Sequence, residues 1–180
     1  MTKPFPDTHH DASSNTLFGF WLYLMTDCIL FATFFAVYAV LHGRIALNLP
    51  LALAQTLILL TSSFTCALAA RSKIVFWFAI TFLLGFAFLA LQWTEFSRLI
   101  AEGNTWQKNA SLSAFFTLAG VHGLHIMAGL LMIVVFISQF LKRGLTTAVL
   151  RRLTCLRMYW QFVYLIWIFT FAIVYLMGAK

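Results

Sequence analysis

The sequence predicts an all-α integral membrane protein, a bundle of five transmembrane helices, and three observations support this fold class. Of the 180 residues, 62% are hydrophobic and only 9% are charged, and the mean hydropathy is +0.91. Soluble domains contain about 25% charged residues, and disordered chains contain few large apolar side chains. The apolar residues also form five blocks of membrane-spanning length. These features together exclude the soluble and disordered classes.

The five predicted helices cover residues 17–41, 50–70, 74–96, 110–141 and 158–178. About 20 helical residues cross a hydrocarbon core of about 30 Å, so each block is long enough to span. The first block follows a polar tail at 1–16 and is too long for the apolar core of a cleavable signal, so we expect it in the mature protein. Membrane β-strands would be about ten residues long with alternating polarity, unlike these blocks.

The connections indicate how the helices are arranged within a single domain at 17–178. Pro50 suits the first turn of the second helix. The link at 71–73 has three residues, so the second and third helices should be antiparallel neighbours. The fourth block has 32 residues, about 48 Å of helix, so we expect it to tilt or to project from the bilayer. No loop is long enough for another folded domain.

The basic residues are unequally distributed between the two sides of this five-span arrangement. Those on the N-terminal side are Lys3, Arg71, Lys73, Lys142, Arg143, Arg151, Arg152 and Arg157, and those on the other side are Arg44, Arg98, Lys108 and Lys180. Because cytoplasmic loops are enriched in Lys and Arg, the N-terminus is predicted to be cytoplasmic and the C-terminus periplasmic. We therefore interpret the net charge of +7 as a signal of the orientation of the chain in the membrane. Nucleic-acid binding would need a dedicated basic face and is not predicted.

Asp27 is the most informative polar residue in the apolar blocks. It lies ten residues into the first block, about 15 Å along the axis and near the bilayer midplane. A charged Asp there costs about 2.5 to 3.5 kcal/mol on insertion scales, so it should be neutral or hydrogen bonded to another helix. Two interpretations remain open, a fixed interhelical hydrogen bond and a role in moving protons. Tyr23, one turn earlier, lies on the same helix face.

The fourth helix contains two histidines in a glycine-rich segment. His122, His125 and Gly129 follow the i, i+3, i+7 spacing of one helix face. Ala119 and Gly123 form a small-xxx-small pair that allows a neighbouring helix to approach closely. We therefore expect both imidazoles to pack and to hydrogen bond against neighbouring helices.

These histidines do not predict a metal or haem site in this chain. Two histidines three residues apart on one helix cannot reach opposite faces of a haem iron, and copper or zinc would need more ligands. The three cysteines, Cys28, Cys66 and Cys155, form no CxxC pair, so neither a zinc module nor a disulfide scaffold is predicted.

Polar residues also occur near the end of the third helix and the start of the last. Glu95 lies about 32 Å along the axis of the third helix, so we expect it at the outer interface beside Trp93, in a structural or partner-contact role. The aromatic residues of 159–164, which flank Gln161, are expected in the cytoplasmic aromatic belt.

Five segments of the sequence, taken in order, resemble a known family. Residues 19–31, GFWLYLMTDCILF, are similar to the first helix of subunit III of cytochrome o ubiquinol oxidases, in the haem-copper oxidase superfamily. The further similar segments are Gln92 with Glu95 in a Q-x-x-E-aromatic pattern, residues 113–125 with a G-x-H-G-x-H pattern, residues 143–146, and residues 174–178. The resemblance covers about residues 17–178.

The resemblance implies a multi-pass subunit in the bacterial inner membrane that holds no haem or copper of its own. Its partners would be the large haem-copper catalytic subunit, subunit II, a small subunit IV and membrane phospholipids. The complex would oxidise ubiquinol, reduce oxygen to water and pump protons, and this chain would support assembly, lipid binding and sustained proton uptake. The candidate functional residues are Asp27, Glu95, His122 and His125, followed by Tyr23, Gln92 and Gln161.

The last helix departs from the family pattern. Relatives commonly have Trp-His-Phe-hydrophobic-Asp, whereas this chain has Gln161 and Tyr164 in place of the imidazole and the carboxylate. Two alternatives to an oxidase subunit also stand: a stand-alone proton-coupled transporter that uses Asp27 and the His122/His125 pair, and a membrane cytochrome b anchor. Against the transporter, the predicted spans of this chain lack the broken helices and internal repeats that are typical of transporters. A cytochrome b anchor would bind haem, so the absorption spectrum of the isolated chain would show a Soret band.

Overall fold

A computed structural model of the chain shows a bundle of five α-helices. The structure describes residues 8–41, 48–72, 75–144 and 146–178, without the side chains of 8–14, 70, 143 and 175–178. The helices are α1 (Thr8–Leu41), α2 (Leu49–Ser72), α3 (Val75–Ala101), α4 (Ala110–Arg143) and α5 (Thr147–Gly178). Each contains a stretch long and apolar enough to cross a membrane, which confirms the five predicted spans.

Two helices begin earlier than the sequence predicted. Helix α1 starts at Thr8, inside the predicted polar tail, and α5 starts at Thr147 instead of residue 158. Hydropathy marks only the part of a helix that fits the hydrocarbon core, whereas arginine is a good helix former. The helix therefore continues through Arg151, Arg152 and Arg157. Residues 1–7 of the tail, residues 73–74 at the predicted start of the third helix, and Lys3, Arg44 and Lys180 lie outside the described residues.

The helix contacts place α4 and α5 at the centre of the bundle. Helix α4 packs against α1, α3 and α5, and α5 packs against α1, α2 and α4. Helices α2 and α3 also pack against each other, as predicted from their short connection. Any polar side chain on the inner faces of α4 and α5 is therefore enclosed by neighbouring helices.

Trp160 is the side chain around which four helices meet. Its ring lies between Gly85 of α3 and Gly129 of α4, where an added Cβ atom would stand 2.9 Å and 2.8 Å from the indole. The indole N–H donates a hydrogen bond of 3.2 Å to Oγ of Ser62 in α2. Trp160 is 1% exposed, so a large α5 side chain fills space that two glycines leave open.

Two glycines with positive φ form the C-terminal ends of α3 and α4. Gly103 has a φ of 72°, and the N–H of the next residue, Asn104, bonds to the carbonyl of Leu99 at 2.9 Å. Gly144 has a φ of 66°, and its N–H bonds to the carbonyl of Phe140 at 2.9 Å. Glycine adopts this conformation without the steric cost that a Cβ atom would add, so it is the usual residue at such helix ends.

Candidate functional site

Asp27 lies inside the bundle, where α1 meets α4, and faces His125. Asp27 is 8% exposed, and its Oδ2 atom is 3.5 Å from Nε2 of His125. The imidazole and the ring of Phe31 also pack in a T-shaped arrangement, with 5.0 Å between ring centroids. The partner helix that the sequence required for Asp27 is therefore α4.

The other nitrogen of His125 determines what this pair can do chemically. Nδ1 is 2.8 Å from the backbone carbonyl of Val121, which can only accept, so Nδ1 carries a proton. Nε2 is then free to accept a proton from Asp27 or to carry one itself. With one shared proton, the pair is either neutral acid with neutral imidazole or carboxylate with imidazolium. Both forms have zero net charge, which avoids the cost of an isolated charge inside a membrane.

Two tyrosines extend this pair in opposite directions. Tyr159 of α5 is 2% exposed, and its hydroxyl donates a hydrogen bond of 2.9 Å to the backbone carbonyl of His125. Tyr23, one turn before Asp27 on α1, is 47% exposed. The four side chains form a polar cluster that runs from the exposed face of α1 into the core beside α5. We call it the Asp27 cluster.

The placement of Tyr159 and Trp160 in the core corrects the prediction of an aromatic belt at the start of the last helix. Both side chains are buried against neighbouring helices instead of facing lipid, at 2% and 1% exposed. Sequence reasoning missed Tyr159 as a member of the cluster because its partner His125 is on a different helix. The spacing of residues along one helix does not predict a contact with a residue on another helix.

His122 faces away from the Asp27 cluster, in contrast to the single face predicted for the two histidines. It is fully buried, Nε2 is 3.1 Å from the carbonyl of Val163, and the ring packs against Phe88 and Trp167. Positions three apart on a helix differ by about 60° in direction. Because α4 is surrounded by α1, α3 and α5, that difference directs the two imidazoles to different neighbours.

Glu95 and Gln92 lie in the core of the bundle, on a different face of α3 from Trp93, which the sequence analysis placed beside Glu95. Glu95 is 1% exposed and Gln92 is 5% exposed, whereas Trp93 is 73% exposed. Helix α3 continues to Ala101, so these residues are not at its end. Gln92 accepts a hydrogen bond of 3.5 Å from Nε2 of Gln55. Gln55, fully buried in α2, was missed although it is an amide within an apolar block.

Gln161 and Tyr164 lie away from both buried polar groups. Gln161 is exposed and Tyr164 is half-buried, and both line a groove between α2 and α5. Within the described residues, no group of three or more His, Cys, Asp or Glu side chains is arranged to hold a metal ion. The three cysteines are free thiols.

The fold and these sites define a multi-pass helical membrane protein with ionisable side chains held between its helices. The model of the family described as cytochrome c oxidase subunit III matches residues 42–179. The chain therefore belongs to the cytochrome c oxidase subunit III family, and the resemblance found in its sequence motifs is confirmed.

Curated relatives are similar to this chain over most of their length. The cytochrome bo(3) ubiquinol oxidase subunit 3 of Pseudomonas aeruginosa is 48% identical, with 96% of this chain and 90% of the relative covered. The protein of the same name from Pseudomonas putida is 43% identical, with 94% and 89% covered. The cytochrome c oxidase subunit 3 of Bacillus sp. strain PS3 is 37% identical, with 91% and 86% covered.

Proposed function

We propose that this chain is the accessory third subunit of a proton-pumping terminal ubiquinol oxidase, which reduces oxygen to water in bacterial aerobic respiration. Family membership and the names of the relatives from two Pseudomonas species support this function. In this proposal the chain spans the inner membrane with its N-terminus in the cytoplasm. It packs against the large haem-copper subunit, subunit II and a small subunit IV, and the haems and copper belong to the large subunit.

The proposed contribution of this chain is to support assembly, to bind phospholipid and to sustain proton uptake by the large subunit. The observation that carries the last role is the contact between Asp27 and His125. When the two residues share one proton, both arrangements of that proton have zero net charge, so its movement between them leaves no net charge in the membrane. The exposed end at Tyr23 gives the Asp27 cluster a route to whatever covers α1.

The other candidate residues are proposed to hold the helices together. Gln92 bonds α3 to Gln55 of α2, Glu95 is buried one turn further along α3, and His122 bonds from α4 to the backbone of α5. This division also favours the subunit over the stand-alone transporter, because His122 is directed away from Asp27 and the two do not form one carrier site.

Replacement of Asp27 by Asn tests the proposed function. Asn keeps the size of the side chain but cannot release or take up the shared proton. We expect the purified oxidase complex to assemble, to begin turnover at nearly the unsubstituted rate, and then to lose activity several-fold faster during sustained turnover. Oxygen consumption measured over many turnovers reports both quantities.

Thr26→Val provides a matched control on the neighbouring residue. Thr26 is exposed and its hydroxyl bonds to the carbonyl of Leu22 on its own helix, so its loss should change neither the rate nor the active lifetime. If the Asp27→Asn complex kept the unsubstituted lifetime, the Asp27 cluster would have no role in sustained proton uptake. Complete loss of proton movement by the isolated chain would instead favour the transporter.

A further inference from the structure

A groove between the C-terminal part of α4 and the N-terminal part of α5 has apolar walls and a basic end. Its apolar residues are Leu131, Met132, Val135 and Phe136 of α4 and Leu156 of α5. Gln139 and Arg152 line the end that is nearest the turn between the two helices. We call it the α4–α5 groove. It is separate from the Asp27 cluster, and the proposed function above assigns no ligand to it.

The positive charge at the end of the groove is held by a contact between the two helices. Nη1 of Arg152, five residues after the start of α5, donates a hydrogen bond to Oε1 of Gln139, four residues before the end of α4. A guanidinium has five N–H donors, and Arg152 is exposed, so further donors are accessible to a ligand. The groove therefore ends in a cation whose position is set by the neighbouring helix.

No carboxylate among the described side chains balances this charge. The chain has five acidic residues, and the structure describes the side chains of three of them, Asp27, Glu95 and Glu102. Asp27 faces His125 in the middle of α4. Glu95 and Glu102 lie in and just after the last turns of α3, which lead into the opposite end of α4. The positive charge of Arg152 is thus available to an anion from outside the chain.

The ligand that complements this groove has an anionic group next to an apolar chain. A phospholipid has both, and phospholipids surround every protein that spans a membrane. Lys142, three residues after Gln139 on α4, adds a second exposed cation near the same end, which favours a headgroup with net negative charge. Basic pockets between transmembrane helices on the cytoplasmic side bind such headgroups, and in the proposed orientation this end faces the cytoplasm.

The length of the groove suits an acyl chain of one leaflet. Leu131 and Gln139 are eight residues apart on α4, which corresponds to about 12 Å along the helix axis. Half of a hydrocarbon core of about 30 Å is about 15 Å. An acyl chain whose phosphate lies at Arg152 therefore reaches the whole apolar wall of the groove.

We propose that the α4–α5 groove binds one anionic phospholipid, whose phosphate accepts hydrogen bonds from Arg152 and whose acyl chain lies between the two helices against Val135. This inference rests on the phospholipid binding included in the proposed function. It deepens that function by assigning the class of lipid and the residues that bind it.

Titration of the purified oxidase complex with lipid tests the basic end of the groove. The probe is dioleoylphosphatidylglycerol, added to the delipidated complex in detergent, and native mass spectrometry measures the lipid retained on this chain. We expect Arg152→Gln to weaken binding about fivefold, as for one basic residue near a membrane surface. Arg157→Gln is the matched control, because Arg157 is also exposed but points about 140° away around α5. Equal binding by the two variants would overturn the inference.

A second pair of variants tests the apolar wall. Val135 is 51% exposed and lines the groove, whereas Val134 is 48% exposed and lies on a different face of α4. Tryptophan at an exposed position should preserve folding in both cases. We expect Val135→Trp to fill the groove and to reduce the retained lipid several-fold, and Val134→Trp to leave it unchanged. The inference fails if the two variants retain the same amount.

Two further measurements test the identity of the occupant. Dioleoylphosphatidylcholine has the same acyl chains but no net charge, so it should bind several-fold more weakly than dioleoylphosphatidylglycerol, and equal binding would contradict an anionic site. Replacement of Leu131 in the groove by p-benzoylphenylalanine should give, on illumination of the membranes, a covalent product with phospholipid. A product with another protein or with a second copy of this chain would show that the groove is a protein interface and overturn the lipid site.

This inference and the assignment to an oxidase fail in different ways. If the chain copurifies with the haem-containing complex but the groove variants bind lipid like their controls, only the lipid site is wrong. If the chain is recovered without that complex and still binds dioleoylphosphatidylglycerol through Arg152 and Val135, the oxidase assignment is wrong and the lipid site stands.

Discussion

The Asp27–His125 pair shows how an ionisable residue is accommodated inside a membrane bundle. The backbone carbonyl of Val121 accepts a hydrogen bond from Nδ1 of His125, which turns Nε2 toward Asp27 across a gap of 3.5 Å. Tyr159 bonds to the carbonyl of His125 from α5, which fixes this part of α4 against its neighbour. The pair is thus held in position by three helices.

If the two residues act as one unit, their substitutions should not have independent effects. We expect Asp27→Asn and His125→Phe each to shorten the active lifetime of the complex, since Phe keeps the ring packing on Phe31 but removes both nitrogens. The double variant should be no worse than the more severe single variant, because either change removes the shared proton. Oxygen-consumption time courses of the four complexes provide this comparison.

Independent action would give a different pattern. The rate increases for inactivation would then multiply in the double variant, and the pair would not be the functional unit. His122 is not a suitable substitute for His125 in this comparison, since it is fully buried and bonded to the carbonyl of Val163.

At the scale of the helices, the packing of α3, α4 and α5 depends on the space that two glycines leave for Trp160. An added Cβ atom at Gly129 would stand 2.8 Å from Cζ3 of Trp160 and 3.1 Å from Cε1 of Tyr159. The same indole is fixed from α2 by its bond to Ser62, so it cannot move without loss of that contact. These glycines are needed for close approach rather than for an unusual backbone conformation.

We therefore expect Gly129→Ala to destabilise the chain by about 1 to 3 kcal/mol, the usual cost of excess volume in a packed core. Gly120→Ala on the same helix is the matched control, because its Cβ atom would meet nothing within 4 Å. Thermal unfolding in detergent measures both variants. Adding Trp160→Phe to the Gly129→Ala chain should recover part of the loss, and equal stability of the Gly120→Ala and Gly129→Ala chains would contradict this packing.

The same helices show what sequence could and could not predict. Block length and apolar composition predicted the number and order of the helices, because the bilayer thickness alone sets that pattern. They did not predict that α5 begins at Thr147, since Arg151, Arg152 and Arg157 are excluded by hydropathy but not by helix propensity. They also did not predict that Tyr159 and Trp160 are buried, since burial depends on which helices are adjacent.

The faces of the helices were harder to predict than their lengths. In a membrane protein, the surfaces toward lipid and toward neighbouring helices are both apolar, so the hydrophobic pattern does not distinguish them. Glu95 is an example, because its distance along the third helix could be read from the sequence but its burial between helices could not. The partner of Asp27 was expected on another helix, but its identity as His125 depended on which helices are adjacent.

At the scale of the whole molecule, the bundle is organised around α4 and α5, with α1 on one side and the α2–α3 pair on the other. The Asp27 cluster lies on the α1 side of this centre, where α1 meets α4. The α2–α3 pair covers the other side, so the cluster approaches the outer surface of the bundle on α1, at the exposed Tyr23.

The most direct test of this account is to tag the chain, extract it from its own membranes in mild detergent, and record the visible spectrum and the masses of the proteins that accompany it. The account predicts haem absorption bands together with a much larger multi-span subunit. A colourless chain that is recovered alone, from cells that produce the oxidase, would contradict the assignment to an oxidase complex.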